Sequence, residues 1–222
     1  MCFSATASFA ASAVLIPIGI YCLKKASEQQ KPYWLILLLP LAFGVQQFFE
    51  GLVWLDLNQG KDPRYAALAF VFFSHLFWLF WIPLACYKVE TQLFKRRLFL
   101  IFIVLGGIHG LVMFVPFIIF ENWLELKQVQ HSIEYTTTLV YDEFLPRIVV
   151  RIVYATIVLV PLLFCSDRYI KIFGIFIMIS VVVSTIFFGY AFISVWCYFA
   201  AILSLYFVVM IFHLNKNKLE VS

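Results

Sequence analysis

The chain has 222 residues, of which 64% are hydrophobic and 13% are charged, and its mean hydropathy is +0.97. A water-soluble fold is excluded, because soluble domains are near half apolar and a quarter charged and could not bury this much apolar surface. The net charge of +4 does not imply nucleic acid as a partner, since in a membrane protein the location of Lys and Arg matters more than their sum. We therefore expect a single membrane domain over residues 1–222, with membrane lipid as its partner.

Seven apolar segments approach or exceed the 17–25 residues that a helix needs to span hydrocarbon. The last two form one unbroken apolar run, which we divide at residues 189–194 because a single helix of that length would overshoot the bilayer. The sequence thus predicts an all-α bundle of seven transmembrane helices. The predicted spans cover about residues 5–23, 33–55, 65–87, 98–120, 148–165, 172–189 and 194–213.

The basic residues are concentrated in alternate loops, which predicts the orientation of the chain. Only Lys61, Arg64, Lys127 and Arg147 fall in the other loops, with acidic residues among them. The positive-inside rule then places the N-terminus outside and the C-terminus in the cytoplasm, and we expect a bacterial inner (plasma) membrane. The residues on the predicted cytoplasmic side are Lys24, Lys25, Lys31, Lys88, Lys95, Arg96, Arg97, Arg168, Lys171, Lys216 and Lys218.

One sizeable loop, residues 121–147, is predicted to be external. Its apolar, aromatic and Thr side chains fall on alternate positions from Val129 to Tyr141, which is the period of a strand. The loop is interpreted either as a short hairpin or extended lid over the outer mouth of the bundle, or as an ordinary surface loop.

Glu50 lies inside an apolar segment that is long enough to cross a bilayer. A carboxylate at this depth is costly unless it is paired, protonated or hydrated, so it is a candidate for a functional site. Gln46 and Gln47 precede it by four and three residues, on roughly the same face of the helix. His75 and His109 each lie about 15 Å below the outer end of their own span, near the middle of the bilayer.

Arg151 and Tyr154 lie in the outer part of the fifth span, whereas the predicted inner half of the bundle is almost purely apolar. This asymmetry predicts a polar cavity that opens outward. We expect Glu50 to supply charge or a titratable proton there, Arg151 a counter-charge, and the Gln and His side chains hydrogen bonds. The candidate ligand-binding residues are Glu50, Gln46, Gln47, His75, His109, Arg151 and Tyr154.

Three interpretations of these polar residues stay open. In the first, Glu50, His75 and His109 bind zinc and leave one position for water, as in catalytic zinc sites. In the second, His75 and His109 hold a haem. In the third, Glu50 and Arg151 form a buried ion pair that fixes the helix register, and each His bonds a neighbouring carbonyl or hydroxyl. Ser74 and His75 are adjacent but point about 100° apart on an α-helix, so they are not by themselves a nucleophile–base pair.

Cys2 and Cys197 fall on the predicted outer side. They are candidates for a disulfide in an oxidising compartment, whereas removal of Met1 would make Cys2 an N-terminal nucleophile. The third alternative is that Cys2 is simply a small apolar side chain. Cys22, Cys86 and Cys165 lie at the predicted cytoplasmic ends of spans, where we expect reduced thiols.

The opening Met1-Cys2-Phe3-Ser4-Ala5-Thr6-Ala7-Ser8-Phe9 and the segment Gln46-Gln47-Phe48-Phe49-Glu50-Gly51-Leu52-Val53-Trp54 carry a resemblance. Together they resemble a family of uncharacterised bacterial multi-pass membrane proteins with a Met-Cys-Phe-Ser-Ala start and a Gln-Gln-x-x-Glu-Gly-x-x-Trp segment in the second span. The resemblance implies the fold but no activity. It groups the N-terminal segment, with Cys2 and Ser4 as a candidate site, with Glu50.

The leading functional hypothesis is a receptor-like or transporter-like membrane protein. Its outward-facing polar cavity would bind a small polar solute, an ion or a lipid head group. One alternative is a metal-dependent membrane-embedded enzyme that acts on lipid, with Glu50, His75 and His109 as ligands. A second alternative is a structural partner subunit. The sequence does not determine the oligomeric state.

Overall fold

The computed structural model describes residues 4–29, 31–129 and 131–219. This part of the chain contains seven helical segments that are long and apolar enough to cross a membrane, which confirms the predicted number. We number them spans 1 to 7. They are Ala5–Ala26, Trp34–Asn58, Arg64–Val89, Leu93–Ile119, Arg147–Phe164, Arg168–Phe187 and Gly189–His213.

Several spans are built from more than one helix. Span 2 combines two helices, span 3 contains a π-helical turn at Phe73–Phe77, and span 7 is interrupted between Leu203 and Tyr206. Span 6 ends at Phe187 and the next α-helix begins at Phe192, so the long apolar run divides close to the predicted position. The α-helices are α1 (Ala5–Gln29), α2 (Trp34–Leu37), α3 (Leu39–Asn58), α4 (Arg64–Phe72), α5 (Trp78–Val89), α6 (Leu93–Ile119), α7 (Arg147–Phe164), α8 (Arg168–Phe187), α9 (Phe192–Leu203) and α10 (Tyr206–Leu219).

Helices α1 and α3 pack closely because glycines line their contact. A Cβ atom on Gly44 would lie 2.9 Å from the Ile16 side chain, and one on Gly51 would lie 2.7 Å from the Phe9 ring. Small residues let helices approach in this way in membranes, where no hydrophobic force drives helices together. The two contacts also set the antiparallel register of the pair, with the start of α1 beside the end of α3.

The long loop between spans 4 and 5 forms an antiparallel hairpin, β1 (Leu124–Val129) and β2 (Ser132–Thr137), in which Leu126 is paired with Tyr135. The alternate residues Ile133, Tyr135, Thr137 and Leu139 are buried, as the strand-like period predicts. The Tyr135 ring stacks on Phe70 of span 3 at a centroid distance of 4.9 Å. The hairpin therefore covers one end of the bundle, which we call the hairpin end.

The opposite end of the bundle carries most of the Lys and Arg residues, and we call it the basic end. There Glu90 joins the loop between spans 3 and 4 to the loop between spans 5 and 6. The Glu90 carboxylate accepts hydrogen bonds from the backbone N–H groups of Thr91 and Gln92, both at 2.9 Å, and of Ser166 at 2.8 Å. Lys95 Nζ donates to Ser166 Oγ at 2.9 Å. Burial raises the pKa of the Glu90 carboxyl, but the hydrogen bonds from Gln92, Ser166 and Thr91 outweigh burial, so the pKa lies below its ordinary value of 4.5.

A second bond at the basic end joins spans 2 and 6. The Asp167 carboxylate caps α8 by accepting from the N–H groups of Tyr169 and Ile170, at 2.9 and 3.0 Å. Its other oxygen accepts from the Tyr33 hydroxyl at 2.7 Å. Asp is a favoured N-cap residue because its carboxylate satisfies N–H groups that lack an intrahelical partner. The basic end is thus a set of satisfied polar contacts between loops.

Candidate functional site

The structure separates the predicted site residues into two places. Gln46, Gln47 and Glu50 of α3 are fully buried, with 0% of each residue exposed. Glu50 Oε1 accepts a hydrogen bond from the Ser194 hydroxyl of α9, and Gln46 Oε1 accepts one from Trp78 Nε1 at 2.9 Å. These residues are enclosed by neighbouring helices and do not face an open cavity. We call Gln46, Gln47, Glu50, Ser8 and Ser194 the Glu50 cluster.

The expected Glu50–Arg151 ion pair is absent. The Arg151 guanidinium instead lies over the Phe192 ring, 5.2 Å from its centroid. Among the described side chains the ion pairs are Lys127–Glu125 and Arg147–Asp142, so Glu50 has no ion-pair partner there. The assignment of Arg151 as the counter-charge of Glu50 was wrong, because α9 lies against α3 and supplies Ser194 to the carboxylate.

The second place is a partly open cavity of about 220 Å³ beneath the hairpin, among spans 3 to 7. The predicted residues His75, Arg151 and Tyr154 line it, whereas the Glu50 cluster contributes only its neighbour Cys197. Most of the wall is apolar. Its polar side chains are Ser74, His75, Tyr135, Thr137, Arg147, Arg151, Tyr154 and Thr185.

Two arginines of the cavity differ in their surroundings. Arg147 pairs with Asp142 through Nε–Oδ1 at 2.5 Å and Nη2–Oδ2 at 2.6 Å, and its Nη1 donates to Thr137 Oγ1 at 3.1 Å. Arg151, one turn further along α7, lies over the Phe192 ring and has no carboxylate partner among the described residues. The cavity therefore carries one positive charge that the described part of the chain does not neutralise.

The π-helical turn Phe73–Phe77 places Ser74 and His75 in contact. Ser74 Oγ lies 2.9 Å from His75 Nδ1, and both residues line the cavity. The expectation that adjacent side chains would point apart was wrong for this pair. Nothing in the residues of the turn signals a π-helix, although such turns are frequent at functional sites.

His109 does not line the cavity. Its Nδ1 lies 3.1 Å from the Tyr141 hydroxyl and the two rings stack at 5.4 Å, so His109 of span 4 holds the loop that follows the hairpin. The described side chains contain no group of three or more His, Cys, Asp and Glu that is placed to hold a metal ion. The structure thus does not gather Glu50, His75 and His109 in one such group. Zinc and haem stay predictions.

Of the two N-terminal candidates, the structure describes Ser4 but not Cys2. Cys2 lies outside the described residues, so both its disulfide with Cys197 and its role as a nucleophile stay predictions. The Ser4 hydroxyl accepts a hydrogen bond from the N–H of Ala7 at 3.2 Å and caps the start of α1. Cys197 is buried beside the cavity, and no disulfide joins it to the other described cysteines, which are also buried: Cys22, Cys86 and Cys165.

Comparison with known proteins identifies a family. The sequence pattern of a family of unknown function (DUF6629) matches residues 1–221. The chain belongs to DUF6629. No curated protein and no solved structure matches it. Together with the seven apolar helices, membership in DUF6629 fits a multi-pass membrane protein whose activity is not assigned.

In this DUF6629 chain, the residues that sequence reasoning missed are partners on distant helices. Ser194 and Trp78 bond the Glu50 cluster, and Phe192 lines the cavity beside Arg151. No spacing rule connects α3 with α9, so a single sequence contains no signal that would have paired Glu50 with Ser194.

Proposed function

We propose that the protein is a receptor-like or transporter-like membrane protein that binds an amphipathic anion, such as an acidic lipid, in the cavity beneath the hairpin. The anionic group would contact Arg151, and the apolar part would lie along the wall formed by Phe192, Ile193 and Trp196. The observation that carries this proposal is Arg151, which lines a mainly apolar cavity without a carboxylate partner in the described chain.

The charge argument favours an anionic ligand. Ionisable side chains within membrane spans are rare and expensive, and they usually pair or mark a binding site. Arg147 meets this requirement through Asp142, but Arg151 has no equivalent partner. A guanidinium presents a planar set of donors that matches a carboxylate or a phosphate group in two hydrogen bonds. A bound anion would form with Arg151 the ion pair that Asp142 forms with Arg147.

The wall of the cavity favours an amphipathic ligand over a small polar solute. The side chains around Arg151 are mostly aliphatic and aromatic, and they offer few hydrogen-bond partners. A volume of about 220 Å³ lies below the roughly 300–1,000 Å³ of pockets that enclose a whole drug-sized ligand, so the cavity would hold only part of a lipid. Because the cavity is partly open, the rest of a lipid could continue into the bilayer.

The distribution of basic residues supports an outward position for this cavity. Lys and Arg are concentrated at the basic end, which the positive-inside rule assigns to the cytoplasm. The hairpin end, the cavity and the start of α1 would then face outside. The membrane itself would be a bacterial inner membrane. A cysteine introduced into the hairpin tests this orientation directly, because a membrane-impermeant thiol reagent applied to intact cells would label it only if the hairpin faces outside.

The test uses Trp196, which lines the cavity, as a reporter. The full chain is placed in nanodiscs that contain phosphatidylglycerol brominated on its acyl chains, or brominated phosphatidylcholine, and tryptophan quenching is measured. The quenching that disappears in Trp196→Phe is the cavity signal. We expect that signal to be stronger with phosphatidylglycerol, and this preference to vanish in Arg151→Gln.

The matched control is Lys127→Gln, which removes an exposed cation from the hairpin without touching the cavity. It should keep the preference for the acidic lipid. Equal quenching by both lipids in the wild-type protein, or an unchanged preference in Arg151→Gln, would show that Arg151 does not select an anion.

A further inference from the structure

Polar side chains of three helices meet in the Glu50 cluster. Gly44, Gln47 and Gly51 are spaced by three and four residues, so they lie on one face of α3. The two glycines of this face contact Ile16 and Phe9 of α1. Gln47 therefore faces α1 between these two contacts, at the level of its inward-facing serines.

Those serines complete the cluster from the α1 side. Ser8 is 0% exposed and Ser12 is 3% exposed, although both lie on a helix whose outer face is apolar. Glu50 lies three residues after Gln47 and faces α9, where Ser194 donates to Oε1. Because Phe9 contacts Gly51, and these residues follow Ser8 and Glu50 directly in the chain, Ser8 and Glu50 lie at the same level of the bundle.

Several atoms of this cluster are buried without a hydrogen-bond partner. They are Glu50 Oε2, both amide atoms of Gln47, Gln46 Nε2 and Ser8 Oγ. The Gln47 amide lies beside the Glu50 carboxylate but forms no regular hydrogen bond with it. Buried polar groups are almost always hydrogen-bonded, and a group that is not bonded suggests a bound water or ion. Unpartnered atoms on two helices that pack against each other, at the level of the Glu50 carboxylate, suggest one shared ligand.

Charge and ligand chemistry identify the class of that ligand. The cluster offers oxygens from a carboxylate, an amide and hydroxyl groups, which are the ligands that hard cations prefer. Glu50 contributes one negative charge and has no ion-pair partner among the described side chains. A monovalent cation would make the enclosed site neutral, whereas a divalent cation would leave an uncompensated positive charge in an apolar bundle.

We propose that Glu50, Gln47, Ser8 and Ser194 bind a monovalent alkali cation inside the bundle. This site is separate from the cavity and does not rest on the proposed function. The cation would join α1, α3 and α9 through ligands from each helix. Because α9 also carries Trp196 at the cavity wall, the cation would fix the position of that wall.

The experiment measures the Tm of the purified full chain in detergent at constant pH and ionic strength. Choline chloride is replaced stepwise by lithium, sodium or potassium chloride. A ligand that binds only the folded protein raises the Tm, by about 5 °C or more at one hundred times its Kd. We expect a saturable rise with at least one of these cations. Glu50→Gln, which keeps the shape and removes the charge, should abolish the rise.

The control variant is Glu143→Gln, which neutralises an exposed carboxylate near the hairpin and should respond to the cation like the wild-type protein. If Glu50→Gln does not fold, Ser8→Ala supplies the second test, because it retains the carboxylate and removes one oxygen. It should raise the cation concentration at half-effect several-fold. The proposal is overturned if no alkali cation changes the Tm of the wild-type protein, or if Glu50→Gln or Ser8→Ala responds as the wild type does.

Discussion

Glu90 and Glu50 are both almost completely removed from solvent, but their surroundings differ. Glu90, at the basic end, accepts backbone hydrogen bonds from Thr91, Gln92 and Ser166, so both of its oxygens are satisfied. Glu50, inside the bundle, receives a bond from Ser194 on one oxygen and has no hydrogen-bond partner on the other. The comparison teaches that burial alone does not mark a functional carboxylate. A buried carboxylate whose two oxygens both accept hydrogen bonds within the fold is structural. A buried carboxylate with one oxygen that lacks a hydrogen bond is a candidate to bind a ligand.

Glu90→Ala should produce the largest effect, because it leaves three backbone N–H groups without their acceptor. We expect the free energy of unfolding to fall by about 3 kcal/mol, since hydrogen bonds to charged groups contribute roughly 1.5–3 kcal/mol each and the freed groups regain partial solvation. The measurement is equilibrium unfolding in mixed micelles. A loss below about 0.5 kcal/mol, the range of ordinary surface changes, would mean that Glu90 does not hold the two loops together.

The pH dependence of stability sharpens the same contrast. The pKa of Glu90 is lowered in the folded protein, so its contribution is present in full above its ordinary value of 4.5 and is lost as the pH falls through the lowered value. The Tm difference between the wild-type protein and Glu90→Gln should therefore be largest near neutral pH and shrink in acid. A difference that stays constant from neutral pH down to pH 3 would contradict this assignment.

The two cavity arginines repeat the contrast on a smaller scale. Arg147→Gln breaks the pair with Asp142 and should destabilise the loop after the hairpin by about 1–2 kcal/mol, because this partly exposed pair is also hydrogen-bonded to Thr137. Arg151→Gln should change stability by less than about 0.5 kcal/mol, since it removes only the contact with the Phe192 ring and no hydrogen bond or ion pair within the described chain. Thermal unfolding of the two variants side by side measures the difference, and equal losses would remove the distinction between them.

The features that the sequence predicts are mostly those that follow from a lipid surrounding. Runs of apolar residues identify the spans because backbone groups in hydrocarbon must be satisfied within a helix. The cost of a carboxylate in that environment drew attention to Glu50, and alternation from Val129 to Tyr141 made a hairpin or extended lid one of two interpretations of the loop. Each of these signals is local in the chain.

The partners of the polar residues could not be predicted in the same way. Glu50 and Ser194 are separated by 144 positions, and only the order of helices in the bundle brings them together. The same order separates His75, at the cavity, from the Glu50 cluster, although both were placed in one cavity. The π-helical turn at Phe73–Phe77 lies against span 4, where Gly110 contacts Leu76, and no local motif in the sequence indicates the turn.

The most direct test of the central claim, that Arg151 binds an acidic lipid in the cavity, is native mass spectrometry of the full chain released from mixed phosphatidylglycerol and phosphatidylcholine nanodiscs. The wild-type protein should retain phosphatidylglycerol preferentially. Arg151→Gln should lose this preference and Lys127→Gln should keep it, because Lys127 is an exposed hairpin residue that does not line the cavity. Equal retention of the two lipids by the wild-type protein, or a wild-type preference in Arg151→Gln, would contradict the claim.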